Sequence, residues 1–89
     1  MSDQIPDSKK YVLVIEDDKF YGNIFQKKFT QAGYDVLVAG DGAKGLEQAL
    51  ARKPDMILLD LIMPNKDGFE ALQQLKQHDT LKEVPVMVL

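Results

Sequence analysis

Three carboxylates stand directly after two apolar runs of this 89-residue chain: Glu16 and Asp17 follow Tyr11–Ile15, and Asp60 follows Met56–Leu59. In open α/β sheets, ligands bind beyond the carboxyl ends of the strands. If the two runs form neighbouring strands, the three carboxylates converge and repel one another unless a proton or a cation intervenes. A hard divalent cation such as Mg²⁺ would offset this repulsion, and it also bridges to phosphate oxygens. The spacing therefore indicates a metal-assisted phosphoryl site.

A plainer interpretation applies to any single acid, because carboxylates after strands commonly cap the next helix. Asp18 is placed to cap a first helix, and Asp67 is placed to cap a third, with Glu70 at the reciprocal capping-box position. For the three strand-end acids taken together, the functional interpretation is the stronger one.

Strand-like and helix-like segments alternate along the chain. The predicted strands are Tyr11–Ile15, Asp35–Ala39, Met56–Leu59 and Val84–Leu89, and the predicted helices span about 20–32, Ala43–Arg52 and about Gly68–Gln77. Apolar residues at helical spacing are expected to face the core, namely Phe20, Phe25, Phe29, Leu46, Ala49, Leu50, Phe69, Leu72 and Leu75. Gly33 ends the first helix. This β-α-β-α-β-α-β order predicts an α/β fold with a doubly wound parallel sheet.

The composition excludes several classes of protein. The net charge is −3 with interspersed charges, which argues against nucleic-acid binding, and the apolar runs are too short for a membrane span. There is no cysteine to form a disulfide or a thiolate zinc site. Residues 1–10 are polar and lack the apolar core of a secretory signal, so they are predicted to be a flexible leader on a cytoplasmic protein.

Three segments resemble the receiver domain of two-component response regulators: Val12–Asp18, Leu58–Pro64 and the pair Asp67–Gly68. The resemblance runs from about Tyr11 to Leu89, and it implies a flavodoxin-like fold. It also implies a domain that accepts a phosphoryl group and is not itself an enzyme.

The resemblance implies a role for each site residue. Asp60 would be the phosphoacceptor, taking the phosphoryl group from the phosphohistidine of a histidine kinase or a phosphotransfer protein. Asp17 and Asp60 would ligate Mg²⁺ directly, Glu16 would act through water, and the backbone carbonyl of Ile62 would complete the protein ligands. Pro64 and Gly68 would shape the loop that holds Asp60.

Receivers also carry a Ser or Thr after the fourth strand and a Lys after a fifth strand, and neither falls within the 89 residues. The chain is therefore expected to be a receiver over residues 11–89 that is truncated at its C-terminus, with four strands and three helices and without the C-terminal β/α part. Impaired phosphorylation follows from that expectation. A bare edge strand at Val84–Leu89 would favour a homodimer.

Two further interpretations stay open. The chain could be a non-catalytic, self-associating half-receiver fragment. The run Gly40–Gly45 matches a dinucleotide-binding pattern, but a carboxylate at Asp41 would repel a pyrophosphate, and a tight turn into the second helix is the simpler explanation. His78, the only histidine, is predicted to be a solvated surface residue.

Overall fold

The computed structural model describes residues 10–61, 63 and 67–89. The described elements alternate as predicted: β1 (Tyr11–Ile15), α1 (Lys19–Gln31), β2 (Asp35–Ala39), α2 (Gly42–Ala51), β3 (Met56–Leu59), α3 (Asp67–Gln77) and β4 (Val86–Val88). Apart from Lys10, the predicted leader lies outside the described residues. None of the described helices has the length and apolar character needed to cross a bilayer.

The four described strands form one parallel sheet in the order β2-β1-β3-β4. The chain thus moves from β1 outward to β2, then crosses back past β1 to β3 and β4, so the order reverses beside β1. This is the doubly wound topology that the alternation predicted, and it makes β1 and β3 neighbours. All five residues of β1 are buried, as expected for a strand that is covered on both faces.

The alternation of side chains along each strand divides the core into two layers. On one face, α2 and α3 cover the odd-numbered residues of β1 and β3, in a cluster that includes Leu13, Ile15, Ile57, Leu59, Ala49 and Leu75. On the other face, α1 covers Val12, Val14 and Leu58 through the rings of Phe25 and Phe29. The sheet is therefore fixed from both sides at the strands that carry the three acids.

Local sequence signals determine where α1 begins and ends. The side chain of Asp18 accepts the Phe20 N–H at 2.8 Å, which confirms its predicted role as the cap of α1. Gly33 follows α1 with a φ of 97°, a conformation that favours glycine. The predicted capping box of α3 depends on the Asp67 side chain, which lies outside the described residues.

Three apolar residues that were expected to face the core are exposed: Phe20 at 67%, Phe69 at 63% and Leu50 at 45%. At about 100° per residue, Phe20 lies about 140° around α1 from Phe25, and Phe69 lies about 160° around α3 from the buried Ala71. Leu50 stands on the flank of α2, one residue past the buried Ala49. The apolar face predicted for each helix is thus wider than the observed one, at the start of α1 and of α3 and at the end of α2.

The observed bounds of two elements also differ from the predicted ones. The fourth strand pairs only over Val86–Val88, and Val84 is instead buried in the turn before it. The second helix begins one residue earlier than predicted, at Gly42, and ends at Ala51.

The end of β1 opposite the acids is tied to its neighbours through Tyr11. The Tyr11 N–H donates to Asp55 Oδ2 at 2.8 Å. The Arg52 guanidinium lies 4.1 Å from the Tyr11 ring centroid and forms a salt bridge with Asp35 Oδ2 at 2.9 Å. The Tyr11 hydroxyl is buried and has no hydrogen-bond partner among the described residues. Burial raises the pKa of this hydroxyl above its ordinary value.

Replacing Tyr11 by Phe is expected to raise the free energy of unfolding by about 1 kcal/mol, because it removes a desolvated hydroxyl and keeps the ring beneath Arg52. The control Tyr11→Leu removes the ring as well and is expected to lower the free energy of unfolding. Urea denaturation of the three proteins measures both changes. Equal destabilisation by the two substitutions would show that the hydroxyl is satisfied.

Candidate functional site

Glu16, Asp17 and Asp60 meet at one edge of the sheet. Ile15 and Leu59 are partners in the β1–β3 register, so the acids that follow them stand side by side. One carboxylate oxygen from each of the three residues lies within 4.8 Å of the other two. The structure thus brings together the three acids that the sequence singled out.

Backbone hydrogen bonds tie the tip of β1 to the tips of both neighbouring strands, β3 and β2. The Asp60 N–H donates to the carbonyl of Ile15 at 3.0 Å, and the Glu16 N–H donates to the carbonyl of Ala39 at 3.0 Å. The side chain of Glu16 is fixed in turn, because its Oε2 accepts the Asp18 N–H at 3.1 Å. The spacing of the carboxylates is therefore set by the sheet itself.

The three acids differ in their exposure to solvent. Glu16 is buried with 5% of its surface exposed, Asp60 is half-buried, and Asp17 is exposed. The pKa of Glu16 is raised to about 7, mainly by burial; a hydrogen bond with Asp60 and the charges of Asp60 and Asp17 also raise it, and the hydrogen bond from the Asp18 N–H opposes them. A hydrogen bond between two carboxyl groups needs one of them protonated. Without a cation, Glu16 is therefore partly protonated near neutral pH.

Gly68, in the first turn of α3, packs against the backbone that carries Asp60. A Cβ atom at position 68 would lie 2.7 Å from the Asp60 carbonyl oxygen and 2.7 Å from the Leu61 Cα. Backbone atoms cannot move aside as a flexible side chain can, so only glycine fits at this position. This contact supports the expectation that Gly68 helps to hold Asp60. Ile62 and Pro64, predicted to act in the same loop, lie outside the described residues.

A cleft of about 270 Å³ opens beside Glu16 and Asp17. Its other lining residues are Lys19, Gly22, Asn23, Val38 and Gly40. A larger groove of about 440 Å³ runs along the exposed side of α1, lined by Asn23, Gln26, Lys27, Thr30 and Gln31. The larger groove has no acidic lining residue, whereas the smaller cleft is lined by two of the three clustered acids, Glu16 and Asp17.

The dinucleotide interpretation of Gly40–Gly45 loses its physical basis. The Asp41 side chain accepts the Lys44 N–H at 2.7 Å and so caps the N-terminus of α2, where a pyrophosphate would have to bind. The segment is a tight turn into α2, as the simpler explanation held. His78 is exposed just after α3, in agreement with its predicted surface role.

Two features of the site were not anticipated from the sequence. One is the raised pKa of Glu16 in particular, which depends on burial that a strand-end acid does not reveal by its position. The other is the tight contact of Gly45 with Ile15, directly behind the acid cluster. A glycine inside a helical pattern is a signal of close packing, and it was available in the sequence.

The raised pKa of Glu16 predicts how stability depends on pH in metal-free protein. The folded state binds this proton more tightly than the unfolded chain, whose value is near 4.5, so the free energy of unfolding falls as pH rises from about 4.5 through about 7. The loss is at most on the order of 3 kcal/mol.

The substitution Glu16→Gln should remove this dependence, and the difference between the two proteins cancels the other titrating groups. Denaturant unfolding in the presence of a chelator, between about pH 5 and about pH 8, measures it. Parallel pH profiles for the two proteins would contradict the assignment of the proton to Glu16.

Comparisons with known proteins agree with this geometry. The family model of the response regulator receiver domain matches residues 12–89. The DNA-binding dual master transcriptional regulator RpaA of Synechocystis sp. is 38% identical over 78 residues, which cover 88% of this chain and 32% of that protein. The alkaline phosphatase synthesis transcriptional regulatory protein PhoP of Bacillus subtilis is 36% identical over 80 residues, which cover 90% of this chain and 32% of that protein. The chain thus spans about a third of the length of these relatives.

Solved structures show the same fold. The chemotaxis response regulator CheY4 of Vibrio cholerae superposes with a TM-score of 0.85 at 28% identity, over 90% of this chain and 67% of that one. The N-terminal domain of a response regulator receiver protein from Methanoculleus marisnigri superposes with a TM-score of 0.83 at 31% identity, over 88% of this chain and 63% of that one. With its matched sequence, its sheet order and its acids at adjacent strand tips, the chain belongs to the response regulator receiver domain family of two-component signalling.

Proposed function

We propose that this chain accepts a phosphoryl group on Asp60 from the phosphohistidine of a histidine kinase or a phosphotransfer protein. A carboxylate oxygen of Asp60 attacks phosphorus, the P–N bond breaks, and the electron pair leaves with the imidazole of the donor. The product is an acyl phosphate on Asp60. The observation that carries the proposal is the convergence of Glu16, Asp17 and Asp60 within 4.8 Å at the strand tips of a receiver fold.

Asp60 is the best placed of the three acids to be the nucleophile. Glu16 is buried, so a phosphoryl donor has little access to its carboxylate. Asp60 is half-buried, so a phosphoryl group can reach it, and its backbone is fixed by the carbonyl of Ile15 and by the close packing of Gly68. Phosphoryl transfer depends mostly on such positioning.

A divalent cation, which we propose to be Mg²⁺, fits the donor set of this site. Asp17 and Asp60 offer hard oxygen ligands with Glu16 beside them, and the predicted carbonyl ligand of Ile62 lies outside the described residues. The charges of Asp60 and Asp17 contribute to the raised pKa of Glu16, after burial, and a cation at the cluster would offset them. When bound, the cation supplies the positive charge that neutralises the carboxylates and the phosphoryl oxygens.

The compartment and the partner of the chain follow from the same role. We propose a cytoplasmic domain that is a phosphoryl acceptor and not an enzyme in its own right, with a kinase or a phosphotransfer protein as its partner. The name of the Synechocystis relative includes DNA binding, which is not proposed for this chain.

A non-catalytic, self-associating module remains the second candidate. β4 is the edge of the described sheet, and Met87, Val88 and Leu89 expose 55%, 43% and 47% of their surface. An exposed apolar edge favours pairing with another strand, so the homodimer through Val84–Leu89 stays a prediction. Sedimentation that shows a compact monomer at micromolar concentration would contradict it.

Incubation with phosphoramidate and Mg²⁺ is expected to add one phosphoryl group to the chain, and Asp60→Asn is expected to abolish uptake because the amide is not a nucleophile. The matched control is Asp79→Asn, whose carboxylate is 94% exposed and forms only a surface ion pair with Lys82. It should leave uptake unchanged.

Intact-mass spectrometry measures the product, and hydroxylamine should release it because it is an acyl phosphate. Uptake that survives Asp60→Asn would place the acceptor elsewhere. A wild-type chain that takes up no phosphoryl group would contradict the proposal and favour the self-associating module.

A further inference from the structure

We propose that Gly45 of α2 is a positioning residue for the carboxylate cluster. Its missing side chain lets α2 close directly on Ile15, which joins the two strand tips that carry the acids. The consequence for cation binding rests on the function proposed above. The effect on the geometry of the tips does not.

The contact between Gly45 and Ile15 leaves no room for a side chain. A Cβ atom at position 45 would lie 2.7 Å from Ile15 Cγ1 and 3.2 Å from Ile15 Cγ2, and it would also overlap Cδ1. Turning the outer end of Ile15 moves only Cδ1, so the overlap with Cγ1 would persist. A β-branched side chain is stiff about χ1, and Ile15 is fully buried. Either α2 or the backbone of Ile15 would therefore have to shift, and the proposal requires that the Ile15 backbone does.

Such a shift would act directly on the acid cluster. The carbonyl of Ile15 accepts the Asp60 N–H at 3.0 Å, and the next residue, Glu16, donates its N–H to the carbonyl of Ala39 at 3.0 Å. Moving Ile15 thus moves the tip with Glu16 and Asp17 relative to Asp60. Oxygens that share one Mg²⁺ must each lie about 2.0–2.1 Å from it, so displacements of a few tenths of an ångström matter.

The other buried glycine that faces a strand behaves differently. A Cβ atom at Gly22 would lie 3.3 Å from Val38 Cγ1, which is one contact with the outer end of one side chain on β2. Gly68 meets backbone atoms, so no change of a neighbouring side chain could relieve its contact. Gly45 is the case in which a compensating substitution exists. Ile15→Val removes Cδ1, the atom that a Cβ at position 45 would overlap most, so it relieves the worst part of the contact.

The test uses two readouts on the full chain: Mg²⁺ affinity by calorimetry, and hydrogen exchange of the Asp60 amide in metal-free protein. Gly45→Ala is expected to weaken Mg²⁺ binding by about tenfold, as is typical when a residue that orients a metal ligand changes. It should also speed exchange of the Asp60 amide by a similar factor. Ala forms helices better than Gly, so weaker helix formation in α2 cannot explain either loss.

The double variant Ile15→Val, Gly45→Ala should restore both values toward those of the wild type. Phe29→Leu serves as the stability control, since it loosens the opposite face of the sheet without touching Ile15, and it should change neither readout at a temperature where it is folded. Unchanged affinity and exchange in Gly45→Ala, or losses that Ile15→Val does not restore, would overturn the inference. If the wild type binds no Mg²⁺, the proposed function fails, and exchange of the Asp60 amide alone decides the role of Gly45.

Discussion

The mutual repulsion of three carboxylates is the main electrostatic constraint at the strand tips of this domain. Glu16 and Asp60 carry oxygens no more than 4.8 Å apart, so two full charges there would cost at least about 3 kcal/mol at an effective dielectric constant of about 20. The fold cannot relieve the repulsion by separating the groups, because β1 and β3 are hydrogen-bonded neighbours up to the acids. A proton on Glu16 offsets it in the metal-free protein, and a cation does so in the proposed working state.

The sheet supplies the rigidity that makes this arrangement persist. β1 is buried on both faces, with α1 on one side and α2 and α3 on the other. Its tip therefore cannot move away from β3. Two glycines bring helices equally close: Gly45 lets α2 pack on the Ile15 side chain, and Gly68 lets α3 approach the backbone of Asp60 and Leu61. Stability and site geometry therefore depend on the same contacts, since the burial that stabilises Ile15 also fixes the distance between the two tips.

Much of this could be predicted from the sequence, since short-range rules govern it. The continuous apolar run of β1, the cap at Asp18 and the acids at strand ends follow from local composition and from the behaviour of parallel sheets. The exposure of Phe20 and Phe69 could not, because helical spacing alone does not say which flank of the apolar stripe the sheet reaches. The protonation of Glu16 and the contact of Gly45 with Ile15 depend on three-dimensional packing and became visible only with the structure.

The most direct test of the account is to locate a paramagnetic ion in the site. Mn²⁺ prefers the same carboxylate ligands as Mg²⁺ and broadens the nuclear magnetic resonance signals of nearby amides. The account predicts that substoichiometric Mn²⁺ selectively broadens the amides of Asp17 and Asp60 together, and that excess Mg²⁺ reverses the effect. Broadening centred on another part of the chain, or no broadening at either tip, would contradict the claim that the tips share one cation.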